Sequence, residues 1–90
     1  MDFPFTEQKE NDYYIRIFSE DVPEDELVWH RDREDRIIEP IGKTDWLFQH
    51  DNEIPIKIDE KIFIPKETYH RIIKGTGELK IKLFKIKKGE

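Results

Sequence analysis

Leu79-Lys80-Ile81-Lys82-Leu83 is the stretch on which the fold turns. Apolar and basic side chains alternate at period two. Successive side chains of a strand point to opposite faces, so the three apolar residues share one face and the lysines the other. Phe84, Lys85 and Ile86 continue the alternation in the opposite phase, and that slip predicts a β-bulge near Leu83-Phe84. Just upstream, Gly75-Thr76-Gly77 reads as a tight hairpin turn. It is not a phosphate loop, because no helix N-terminus follows it.

Working outward, the same period recurs. Residues 69–73 read as a strand, and Ile62-Phe63-Ile64 as a short buried one stopped by Pro65. Ile54-Pro55-Ile56-Lys57-Ile58 alternates, with Pro55 marking an edge. Residues 46–49 form a further short strand, and residues 34–41 and 26–32 form two more, paired or continuous through a bend. Residues 12–19, rich in aromatic and β-branched side chains, form the first. Turn signals separate them at Gly42-Lys43-Thr44-Asp45, at 50–53 and at 59–61. No window carries an apolar i, i+3, i+4, i+7 stripe. About seven to nine short antiparallel strands predict an all-β sandwich or barrel in one domain, residues 1–90. Residues 1–11 read as an N-terminal arm, with Phe3 and Phe5 docking on the body or on a neighbouring subunit, and residues 12–90 as the barrel.

Composition narrows the function classes. Only 36% of residues are hydrophobic against 41% charged, so the core is thin and leans on two Trp, three Tyr and six Phe. A net charge of −5 argues against nucleic-acid partners. Six lysines crowd the C-terminal end, and they read as the solvated face of a strand. Cysteine is absent, which removes disulfides, thiolate metal sites and cysteine nucleophiles. No apolar run approaches the ~18 residues that span a bilayer, and Met1-Asp2-Phe3-Pro4-Phe5 lacks the pattern of a signal peptide. The expected setting is the cytoplasm, without a membrane.

Chemistry concentrates in Trp29-His30-Arg31-Asp32. If residues 26–32 are a strand, Val28, His30, Asp32 and Glu34 share a face, and an imidazole and a carboxylate stand one rung apart. Two readings stand at this point: a strand-surface ion pair, or two ligands of one cation. Gln49 shares a strand face with Leu47, and projecting inward it would need a polar partner or a ligand. Trp29 and Trp46 supply packing area. Arg31, Arg33 and Arg36 find pairs among the many carboxylates around them. His50 sits in a polar turn with no function expected.

Phe63-Ile64-Pro65-Lys66-Glu67-Thr68-Tyr69-His70 resembles the second cupin motif, in which a strand ends at proline, a bend follows and a histidine opens the next strand. Trp29-His30-Arg31-Asp32 resembles the start of the first cupin motif, histidine-x-histidine, with aspartate in the second place. The resemblance covers about residues 26–86, and the wording around Trp29 is also similar to small cupin-like proteins of tailed marine phages. It implies a double-stranded β-helix, a barrel of two facing antiparallel sheets, with one divalent metal inside. Carried over, His30, Asp32 and His70 are the implied metal ligands, with Gln49 or Glu34 as a further ligand or substrate contact. Two departures stand out. Arg36 and Ile37 occupy the spacing where the first motif has a glutamate, and Glu67 stands where the second motif has glycine.

Two imidazoles and one carboxylate also form the facial triad that leaves open positions on iron(II). The expectation is therefore a cupin-like protein that binds iron, manganese, nickel or zinc and a small polar or acidic molecule. If it is an enzyme, the implied classes are metal-dependent dioxygenase and isomerase. The alternatives are a metal-free small-ligand-binding module and a dimeric accessory or interaction protein.

Overall fold

A computed structural model of the chain describes residues 4–86. Among these, eight strands form two antiparallel sheets. The strands are β1 (Thr6–Lys9), β2 (Tyr14–Phe18), β3 (Asp35–Pro40), β4 (Leu47–His50), β5 (Ile56–Lys57), β6 (Ile62–Ile64), β7 (His70–Ile73) and β8 (Leu79–Ile86). The larger sheet has the order β1-β2-β8-β3-β6 and the smaller β5-β4-β7. The only helical element among the described residues is a single 3-10 turn at Glu24–Glu26.

The alternating stretch is the centre of the larger sheet. Leu79, Ile81 and Leu83 are at most 2% exposed and face the smaller sheet, while Lys80 is exposed on the far side. Register places Phe18 opposite Leu79, Arg16 opposite Ile81 and Tyr14 opposite Leu83, so these share the inner face. On the other flank, β3 sets Arg36 opposite Ile64 and Ile38 opposite Ile62. The anticipated bulge at Leu83-Phe84 is not there: β3 and β8 pair without interruption from Asp35↔Ile86 to Pro40↔Ile81. Phe84 is apolar because the outer face has a contact of its own, the Tyr13 ring at 5.5 Å.

In the smaller sheet, Phe48 pairs with Ile72 and His50 with His70 on the inner face, while Gln49 pairs with Arg71 on the outer face. His50 Nε2 donates to the Phe63 carbonyl at 3.1 Å and ties the smaller sheet to β6. Trp46, fully buried, donates Nε1–H to the Gly77 carbonyl at 3.2 Å. The neighbouring Asp45 carboxylate accepts from the Thr76 amide and hydroxyl, each at 2.8 Å. Gly75 must be glycine here, because a Cβ would stand 2.3 Å from Asp45 Oδ1 and 2.8 Å from the Asp45 carbonyl carbon.

Within the N-terminal arm, residues 6–9 form β1 on β2, and Phe5 packs on Phe18 with ring centroids 5.3 Å apart. Phe3 lies outside the described residues. The strand anticipated over residues 26–32 shrinks to one isolated bridge, His30 to His70. Local bonds draw its polar groups away from a ladder: the Val28 carbonyl faces His30 Nδ1, and the Asp32 carbonyl accepts from the Glu67 amide at 2.7 Å. With Val28 58% and Trp29 39% exposed, the segment also has no alternating buried face to hold it extended.

Candidate metal centre

The bend between β6 and β7 builds the site. Glu67 takes the left-handed conformation, φ +59°, where the sequence motif has glycine. Its amide bonds the Asp32 carbonyl, and the Lys66 amide bonds Asp35 Oδ1 at 2.8 Å. The bend is thus fastened to the segment that carries Asp32. His70 then opens β7, and its backbone exchanges two hydrogen bonds with His30, at 2.9 and 3.0 Å. A side chain in the left-handed region costs about 1–2 kcal/mol that glycine avoids. Glu67→Gly should therefore be more stable than Glu67→Ala by about 1 kcal/mol in urea denaturation. Both variants lose the exposed Arg31–Glu67 pair equally.

His30, Asp32 and His70 converge, each offering a ligand atom within 4.8 Å of the others. The two rings meet edge-on, with centroids 4.3 Å apart. His70 is buried, 4% exposed, and Phe48 stacks on it at 5.6 Å. His30 is the solvent-side member. Arg36, from the inner face of β3, holds Asp32 Oδ1 through Nη1 at 3.3 Å and Glu34 Oε2 through Nε at 2.6 Å.

The hydrogen bonds fix which nitrogens are available. His30 Nδ1 lies 3.1 Å from the Val28 carbonyl, and His70 Nδ1 lies 2.9 Å from the Thr68 carbonyl. A carbonyl oxygen only accepts, so each Nδ1 carries a hydrogen, and in the neutral tautomer Nε2 keeps the lone pair. Asp32 Oδ2 is buried with no hydrogen-bond partner. His70 Nε2 stands 3.3 Å from it, an ion pair only when the ring is protonated. Lone pair therefore faces lone pair unless a cation, proton or metal ion, lies between them. Backbone carbonyls orienting both imidazoles are the outer support that metal-ligating histidines use.

Electrostatics favour the ligating forms of His30 and Asp32. Burial pushes the His30 imidazole below its ordinary pKa; the hydrogen bond to Val28 opposes this, and a charge on His70 reinforces it. Burial alone would raise the Asp32 carboxyl. The contact with His70 and the guanidinium of Arg36 outweigh it and hold the carboxyl below its usual value.

Two further candidates lie elsewhere. Gln49 faces outward because Phe48, its neighbour in β4, is the residue the core takes. Its side chain accepts from Arg71 Nε at 2.9 Å and donates to the Glu53 carbonyl at 2.8 Å. Glu34 lies in a separate surface groove with Tyr13 and Lys85 and turns to Arg36. Arg71 stacks on Trp29, 4.7 Å from its ring, on the outside. Arg36 is the site residue that sequence reasoning did not assign. Its signal was the departure itself, since it stands where the first motif has an acid.

Beside the three residues a cavity of about 360 Å³ opens between the sheets. Buried Phe18, Ile38, Phe48, Ile64, Ile81 and Leu83 line it, and His30, Asp32, His70 and Arg36 line it too.

No protein-family model and no curated protein matches this sequence. Solved structures do. A cupin domain from Bordetella pertussis superposes with a TM-score of 0.61 at 18% identity, covering 98% of this chain and 99% of that one. A cupin-2 domain containing protein from Shewanella frigidimarina gives a TM-score of 0.59 at 23% identity, covering 87% and 76% of the two chains. A conserved protein of unknown function from Streptococcus pyogenes gives 0.62 at 18% identity, covering 91% and 70%. The fold is all-β and cupin-like, two facing antiparallel sheets.

Proposed function

We propose that the chain binds one divalent metal ion through His30, Asp32 and His70, and a small acidic molecule beside it. The observation that carries this reading is the buried Asp32 Oδ2 without a hydrogen-bond partner, beside a nitrogen whose other edge is committed to a carbonyl. The donor set of two nitrogens and one oxygen suits iron(II), manganese, nickel or zinc. A metal held here would supply Lewis acidity at open coordination positions. The protein's own residues have distinct tasks. The Val28 and Thr68 carbonyls orient the imidazoles, Arg36 occupies one oxygen of Asp32 and leaves the other free, and Phe48 walls the buried side of His70. If the site is catalytic, oxygen-dependent oxidation and metal-assisted isomerisation are the classes that use such a centre. The proposal extends to a cytoplasmic setting, that of the host for a phage-encoded chain, and to a homodimer that sedimentation of the full chain would reveal.

Elemental analysis of the purified protein, with calorimetric titration of manganese, cobalt and zinc into the stripped form, tests the proposal. One ion per chain supports it. A sub-stoichiometric content that no added ion raises leaves the second reading, a metal-free binding module. One observation favours that rival: Arg36, Asp32, Glu34 and His70 form a charge network that needs no ion.

Protons and metal compete for the same lone pairs, so affinity should fall on acidification. For each ligand that a proton occupies the loss is about tenfold per pH unit. Stability of the metal-free protein has the same sign. His30 has a lowered pKa in the folded chain, so stability is lost as pH falls below its unfolded value of 6.5. The contribution of Asp32 is full above 3.8 and disappears only as pH falls through its lower folded value. Calorimetry between pH 7.5 and 5.5 should show weakening affinity, and a flat profile would contradict imidazole ligation.

A further inference from the structure

We infer that the cavity beside the metal centre takes a small monocarboxylate with a hydrocarbon body, in preference to a dicarboxylate or a polyol. The inference rests on the metal reading above and specifies its ligand. Six buried apolar side chains, Phe18, Ile38, Phe48, Ile64, Ile81 and Leu83, form the walls. The polar lining residues include one cluster, where His30, Asp32 and His70 meet Arg36. A ligand with its head at this cluster lays its body along the apolar walls. The volume of about 360 Å³ lies at the low end of the ~300–1,000 Å³ of small-molecule sites, so the body is short.

Charge selects a single acidic group. Arg36 bridges Asp32, which lines the cavity, to Glu34, which opens on the neighbouring groove, so the three linked groups are one cation and two carboxylates, net −1. A divalent ion brings the cluster to +1, and one carboxylate on the ligand neutralises it. The second lining arginine, Arg16, is already paired with Glu7 and lies over the Phe5 ring, 4.1 Å from its centre. A second carboxylate would therefore meet apolar walls or Glu26, an exposed acid that also lines the cavity. Burying a charge without a partner is strongly unfavourable.

The test uses the intact chain loaded with cobalt(II), whose visible ligand-field band reports on a carboxylate entering its coordination sphere. Acetate, butyrate, hexanoate and glutarate are titrated in turn. Affinity should climb by about fourfold for each buried methylene, so that butyrate binds at least about tenfold tighter than acetate and hexanoate tighter still, with glutarate no tighter than acetate. Equal affinity for acetate and hexanoate, or glutarate as the tightest ligand, overturns the inference and leaves the metal site standing. Absence of any protein-bound cobalt band removes the metal site, and this inference with it.

Discussion

His70→Ala should abolish stoichiometric metal binding while the chain stays folded. Removing even an outer support of a metal ligand costs about 10–100-fold in affinity, so loss of a ligating imidazole should cost at least about 100-fold. Asp32→Asn should do the same through charge, since an amide oxygen is a poorer donor to a divalent ion than a carboxylate. The control is His50→Ala. His50 sits opposite His70 in the same ladder, on the same inner face, yet its ring bonds the Phe63 carbonyl and takes no part in the cluster. It should keep full metal stoichiometry. Calorimetry and circular dichroism on the three variants decide the matter. Retention of one tightly bound ion by His70→Ala would show that the cluster is only an ion-pair network.

The second large effect concerns stability. Trp46→Ala should lose about 3–5 kcal/mol, much of what a small domain has to lose. The side chain is fully buried, its ring lies 6.0 Å from that of Phe18, and its indole nitrogen bonds the turn at Gly77. Deleting it opens a cavity between the sheets and frees a carbonyl. Trp29→Ala is the comparison. Trp29 is 39% exposed and contributes mainly its stacking with Arg71, about 0.5–1 kcal/mol at an exposed site. Urea denaturation of both variants separates them, and similar midpoints would mean that the core is not centred on Trp46.

Particular residues show how far the sequence could be read. Period two at Leu79-Ile81-Leu83 determined a strand and its buried face, because alternation is a property of the chain alone. Pro65 ending a strand, the turn at Gly75-Thr76-Gly77 and the acid at Asp32 were equally local. The phase slip at Leu83-Phe84 was read as a bulge for want of Tyr13, a partner 71 residues away in sequence terms. Gln49 shares a face with Leu47 by alternation, but only the opposing layer decides that this face is the outer one.

The same division runs through the site. Resemblance to two short motifs, legible in the chain alone, singled out His30, Asp32 and His70 as the candidates. Tertiary structure alone decided that they meet, that both Nδ1 atoms face carbonyls, that Arg36 secures one oxygen of Asp32 and that apolar side chains line the space beside them. The physical reason is range. Backbone geometry and side-chain alternation act over a few residues and are written in the sequence. Burial, and with it proton affinity and ligand access, depends on what the rest of the chain places around a group.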